Sequence, residues 1–212
     1  CPLCKDTGSV DGQKCACFHQ AEIRLLYRQS GLTEVFEKDT LFLLLNHFPS
    51  KRGGGYAENK RTLAATQLAN VIDTIVQRHR NAGIVIMGDF NDTPFDQSIV
   101  STLGVSPYEK DWDKNILINL MTDISDKGGT YKYQGEWSNI DQMMISKNLH
   151  PRWATSMEVK KGRADIYSPN FLLLHDNKFG GNKLYRTYAG PKYEGGFSDH
   201  LPVYIDIDKL NN

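Results

Sequence analysis

The chain has 212 residues, 40% of them apolar, with Lys plus Arg balancing Asp plus Glu at 25 each. That length carries one good-sized core, or one core with a small satellite module, and the charge balance excludes a global basic field that would gather nucleic acid. Nucleic-acid binding therefore needs a local patch. No apolar run approaches a membrane span, no signal-peptide core opens the chain, and repeats and low-complexity tracts are absent. A cytoplasmic protein without a membrane span is expected.

All four cysteines, Cys1, Cys4, Cys15 and Cys17, fall in the opening "CPLCKDTGSVDGQKCAC". C-x2-C and then C-x-C, separated by Asp-Thr-Gly and Asp-Gly turn signals, let two close pairs converge four thiolates on one zinc ion. Two disulfides or free thiols are the plainer alternatives. Bridges are usually spread through a secreted domain, however, and a tail has no need of paired spacing. In "FHQAEIRLLYRQSGL", Ile23, Leu26 and Tyr27 share one helical face, and Ser30-Gly31 reads as a stop. His19 reads as a solvated helix residue rather than a substitute ligand. Residues 1–38 resemble the N-terminal zinc module of bacterial and phage helicase loaders of the DnaC type. No G-x-x-x-x-G-K-[ST] follows, so the resemblance implies no ATPase.

"LFLLLNHFPS" is an apolar run of strand length that ends in Asn46-His47, before Pro49 and a "GGG" loop at 53–55. The spacing of Ala64, Leu68, Val71, Ile72, Ile75 and Val76 predicts an amphipathic helix over about 57–80. Arg78, His79 and Arg80 suit its last turn, where a cation meets the helix dipole, and Gly83 follows. His79 reads as structural. "GIVIMGDFNDTP" then drives a buried strand into Asp89, Asn91 and Asp92. Strand, helix, strand predicts a right-handed crossover with both strands buried.

Two further polar landmarks sit at strand entries. "SNIDQMMIS" places Asp141 at the start of a strand, and "SDHLPVYIDI" places Asp199-His200 before a last one. There Leu201, Val203, Ile205 and Ile207 alternate as a half-buried face, with Pro202 at the strand's first residue or an edge. Each landmark has a plain reading: "NDTP" is a good Asx turn, Asp199 a loop acid, His47 a satisfied imidazole. Together they are the parts of metal-assisted phosphoester hydrolysis. Carboxylates hold a hard cation, a carboxylate and an amide position water, and imidazoles handle protons or phosphoryl charge.

"NHFPS", "GDFNDTP", "SNIDQMMIS" and "SDHLPV", in this order, resemble the C-terminal motifs of the endonuclease/exonuclease/phosphatase family over about residues 41–208. The resemblance implies an α/β fold, the C-terminal part of a deoxyribonuclease-like four-layer α/β sandwich. A zinc-knuckle and helix segment at 1–40 would precede this domain at 41–212. It implies that Asp89 and Asn91 orient and activate the attacking water and contact the scissile phosphate. Asp199, with Asn91, would hold Mg²⁺ or Mn²⁺. His200 would bind a phosphate oxygen or act as acid/base, Asp141 would fix its tautomer, and His47 would lie near the scissile phosphate. Asp92 and Asp96 read as loop residues.

The resemblance also implies a preceding half-fold that supplies an early Asn and the Glu that is the principal magnesium ligand. Glu22, Glu34 and Glu37 have no such context. The expectation is a divalent-metal-dependent phosphoester hydrolase, nuclease or phosphatase, with impaired turnover because the N-terminal half of the family fold is missing. The alternative is a catalytically inert zinc-containing binding module, or an artificial fusion of two unrelated fragments. An open apolar sheet face would favour a homodimer. The substrate is a phosphoester, small molecule or nucleic acid, and neutral charge favours the small one over duplex DNA. Tyr185, Tyr188, Tyr193 and Phe197 in "YRTYAGPKYEGGF" either stack on a base or sugar or pack as surface loop.

Overall fold

The computed structural model describes residues 9–10, 13–14, 40–122, 124 and 128–210. The chain divides into two compact units, Cys1–Thr40 and Leu41–Asn212. In the first, β1 (Ser9–Val10) pairs antiparallel with β2 (Gln13–Lys14). The four cysteines and the helix expected around Ile23 to Tyr27 lie outside the described residues.

The second unit is built on β3 (Leu41–His47), α1 (Gly55–Arg78), β4 (Gly83–Asp89), β5 (Leu117–Asn119) and β8 (Asp141–Ser146). The sheet order is β3-β4-β8-β5, with β3 and β4 parallel and joined through α1, and β8 antiparallel to β4. The strand-helix-strand expectation holds, with one correction. β4 is buried as expected, but among the described residues β3 pairs only with β4, and its Leu45 is 77% exposed.

Side chains alternate across a strand, so each strand divides its residues between two faces. Phe42, Leu44, Phe48, Ile84, Ile86, Phe90 and Met144 face α1, which meets them with Ala65, Leu68, Ile72 and Ile75. The buried side of α1 is rotated from the one its apolar spacing indicates. Arg61 is inside and Val71 is 47% exposed. His79 caps the helix with its ring against Phe42, 5.3 Å between centroids, in keeping with a structural role.

The other face runs in three registered rows: Leu43 with Val85 and Ile145, Leu45 with Met87 and Met143, and His47 with Asp89 and Asp141. Val85 and Ile145 are fully buried. The second row opens into an apolar groove of about 360 Å³, shared with Leu201 and Val203. The third row is polar.

Short strands complete the unit. β6 (Tyr131–Tyr133) and β7 (Glu136–Ser138) form a hairpin ahead of β8. β9 (Met157–Val159), β10 (Asp165–Ile166), β11 (Leu173–His175), β12 (Asn182–Leu184), β13 (Tyr188–Ala189) and β14 (Lys192–Tyr193) follow. The expected last strand is split. β15 (Val203–Tyr204) pairs with β10, and β16 (Ile207–Lys209) with β9. The predicted alternation survives the split: Leu201, Val203, Ile205 and Ile207 are sheltered and the residues between them exposed.

Candidate active site

The strand ends explain why an apolar run stops in acid. Phe48 and Phe90 follow His47 and Asp89, turn to the α1 face and pack ring on ring at 4.5 Å. Burying a Phe contributes about 1.5–3 kcal/mol, so the aromatic pair pins both strand ends while His47 and Asp89 emerge opposite. The ends are tied further by Phe48 N–H to the Asp89 carbonyl at 2.8 Å and Phe90 N–H to the Ile140 carbonyl at 2.9 Å. Gly88 is required here. Its φ is 137°, and a Cβ would collide with the Asn46 carbonyl oxygen.

Asn91 sits at φ 51°, a left-handed conformation that Asn tolerates better than most residues. Its backbone N–H donates to Asp89 Oδ1 at 2.8 Å. Its Nδ2 donates to Asp89 Oδ2 at 3.1 Å and to the Phe48 carbonyl at 2.9 Å. From the neighbouring strand, Asp141 Oδ2 accepts a hydrogen bond from His200 Nδ1 at 2.7 Å, so His200 Nε2 is the nitrogen turned to Asp89 Oδ2, 3.9 Å away. His47 Nε2 lies 3.5 Å from the same oxygen.

His47, Asp89, Asn91, Asp141 and His200 thus meet at one strand-end cluster. Asp199 is exposed, and its charge reaches His200. Donor atoms of Asp89, Asp141 and His200 lie within 4.8 Å of one another, a spacing at which they could share an ion.

The electrostatics follow from burial. Asp89 has its pKa raised, chiefly by desolvation and further by the charge of Asp141; the Asn91 N–H and the imidazoles oppose this. Desolvation alone would lower His200. The Asp141 hydrogen bond and charge, with Asp89 and Asp199, overcome it and raise the pKa.

Three supporting features were missed by the sequence reading. Asp92, read as a loop acid, is buried against Arg61 of α1, Nε to Oδ1 at 2.8 Å, with the two side chains 7% and 5% exposed. Ser98 Oγ donates to its other oxygen at 2.6 Å. Gln142 Nε2 donates to the Asp92 carbonyl at 2.8 Å, joining β8 to the same loop. Tyr131 lays its ring against His200, 4.8 Å between centroids. Only Tyr131 had a signal, an aromatic shortly before "SNID", and nothing in the sequence tied it to His200. Asp96 stays on the loop, accepting from the Thr93 N–H at 2.6 Å and pairing with Lys51 at 3.2 Å.

A model of the endonuclease/exonuclease/phosphatase family matches residues 17–209. The chain belongs to the endonuclease/exonuclease/phosphatase family. Three solved structures illustrate the likeness. A mannosyl-6-phosphatase from Bacteroides thetaiotaomicron is 18% identical over 79% of this chain and 50% of its own, with a TM-score of 0.39. The human Nocturnin catalytic domain with bound sulfate is 16% identical over 78% and 46%, at 0.42. Truncated Caenorhabditis elegans TDP2 is 14% identical over 82% and 56%, at 0.44. The chain spans about half the length of the structures it matches. No curated protein sequence matches it. Among the described residues no helix is long and apolar enough to cross a membrane.

Proposed function

We propose that residues 41–212 hydrolyse a phosphoester at the cluster of His47, Asp89, Asn91, Asp141 and His200. The observation that carries this is the registered polar row of three adjacent strands, with His200 hydrogen-bonded across it to Asp141. Asp89, held by two Asn91 hydrogen bonds, is aimed to take the proton of an attacking water. His200, its Nδ1 fixed by Asp141, presents Nε2–H to a phosphoryl oxygen. His47 offers a second imidazole beside Asp89.

The donor set fits a hard divalent cation, Mg²⁺ or Mn²⁺. Asp89 and Asp141 crowd two carboxylates together, and the mutual charge that helps raise Asp89 is what a cation relieves. Asn91 commits only its Nδ2, leaving its carbonyl oxygen as a ligand, and Asp199 adds an exposed carboxylate. When bound, such an ion would supply charge for the developing phosphorane. Incubation with bis-p-nitrophenyl phosphate across Mg²⁺ and Mn²⁺ concentrations tests the reading; a preparation with no more release than the His200→Ala variant contradicts it.

The pH profile gives a sharper test. Asp89 must be ionised to accept a proton, so its raised pKa moves the acid limb of kcat/KM upward. His200 must keep its proton, so its raised pKa moves the alkaline limb above about 6.5, the ordinary imidazole value. Asp141→Asn removes a charge that raises both groups, and both limbs should shift to lower pH. Limbs that stay in place would remove Asp89 and His200 from these roles.

Residues 1–40 form, in this reading, a separate zinc module. Cys1, Cys4, Cys15 and Cys17 hold one zinc ion in a closed site, which suits a reducing, cytoplasmic setting. Elemental analysis should find about one zinc per chain, as a closed Cys4 site requires. Four freely titrating thiols without metal would rule the module out.

A further inference from the structure

A cavity of about 480 Å³ opens beside the end of β5, within the size range of small-molecule pockets. Its wall includes Trp112, Leu120, His150, Lys161, Gly162 and Arg163, and it shares no residue with the strand-end cluster. Trp112 is 8% exposed, yet its Nε1–H has no hydrogen-bond partner among the described residues. A buried indole N–H ordinarily finds one, so the cavity has a place for an acceptor. A second donor stands beside it. The His150 ring meets the Trp112 ring edge-on, 5.2 Å between centroids. Its Nδ1 accepts the Arg152 N–H at 3.3 Å, and burial lowers its pKa against the charge of Glu109. The neutral ring therefore carries its proton on Nε2. Gly162 keeps that nitrogen uncovered, since a Cβ there would stand 2.6 Å from it. The same turn holds Lys161 at φ 62°, a left-handed conformation that is strained for a lysine. Arg163 is paired with Asp165 at 4.0 Å, and Glu109 is exposed. Among the described residues Lys161 has no ion pair, so its charge is available to the cavity.

We infer that this cavity binds a small carboxylate with an apolar body. Its two oxygens accept from Trp112 Nε1–H and His150 Nε2–H, and its charge faces Lys161. Two neighbouring N–H donors match the two oxygens of a carboxylate, and a charged acceptor makes the stronger hydrogen bond. Leu120 and Ala164, both buried, supply apolar wall for the rest of the ligand. Water is the plainer occupant, and a cavity that holds water alone would show no preference among added solutes.

Benzoate is the probe, titrated into the ¹⁵N-labelled full chain while the indole N–H peaks of its three tryptophans are followed. Trp112→Phe identifies the Trp112 peak by its absence. That peak should move downfield and saturate, while the Trp137 peak stays in place. Benzamide, neutral on the same ring, should bind about tenfold more weakly, because it gives up the charge-assisted bonds. Lys161 is exposed, so Lys161→Gln leaves the core untouched. That variant should bind benzoate about two- to fivefold more weakly, the worth of an exposed ion pair. A Trp112 peak that does not respond would overturn the inference and leave water as the occupant. Benzamide or inorganic phosphate binding as tightly as benzoate, or Lys161→Gln binding it unchanged, would overturn it as well.

Discussion

Alanine at His200 should reduce kcat/KM for bis-p-nitrophenyl phosphate by about a hundred- to ten-thousandfold, the usual worth of a positioned acid or base. The side chain does two things at once. Through Nδ1 it hydrogen-bonds Asp141, and through Nε2 it faces Asp89, the group aimed at water. Removing it breaks the link between β8 and the 198–202 segment at the reacting end only. The β3-β4-β8-β5 sheet and its α1 face do not include it. The unfolding temperature should therefore stay close to wild type, which separates lost chemistry from lost fold. Asp89→Asn should fall by a similar factor, because the amide keeps the shape but cannot take a proton. Activity near wild type in either variant would place the chemistry elsewhere.

The largest stability effect is expected from Arg61. It is a charged residue on the buried side of α1, and its partner Asp92 is equally buried. Arg61→Ala leaves a carboxylate in the core edge with Ser98 at 2.6 Å and with Lys51 at 3.6 Å as its remaining cation. Losing one partner of a buried pair costs about 3–5 kcal/mol, and the remaining Lys51 favours the lower end. At roughly 2–4 °C per kcal/mol for a domain of this size, the unfolding temperature should drop by about 6–12 °C. Arg61→Met combined with Asp92→Leu should recover most of the loss, because neither charge is then stranded. A loss under about 1 kcal/mol for Arg61→Ala would mean that the pair behaves as a solvated surface bridge. Activity should fall with stability, since Asp92 adjoins Asn91 and its carbonyl holds Gln142.

The same residues show what the sequence could and could not reveal. β4 was legible because its apolar run is flanked by a helix stop and an Asx turn. The meeting of His47, Asp89 and Asp141 followed from family motifs whose polar residues fall at strand ends. Physically it rests on parity, since a two-residue period puts strand-end residues of registered neighbours on one face. β3 misled because five apolar residues read as a buried strand, whereas Leu45 is 77% exposed and, among the described residues, β3 pairs only with β4. Arg61 and Asp92 were hidden because each, taken alone, is a surface residue type; only the pair explains its burial. β5 and the strands after β8 are two or three residues long, too short for a periodic signal. Asp199 was expected among the metal ligands. It is exposed, next to His200 in the chain, and its charge acts on the His200 ring.

The most direct measurement is a divalent-metal titration of bis-p-nitrophenyl phosphate hydrolysis by the full chain, run beside His200→Ala and with EDTA. Turnover should rise with Mg²⁺ or Mn²⁺ and should vanish in EDTA and in His200→Ala. Hydrolysis that ignores EDTA, or that His200→Ala matches at every metal concentration, would contradict a metal-assisted centre at the His47, Asp89 and Asp141 row.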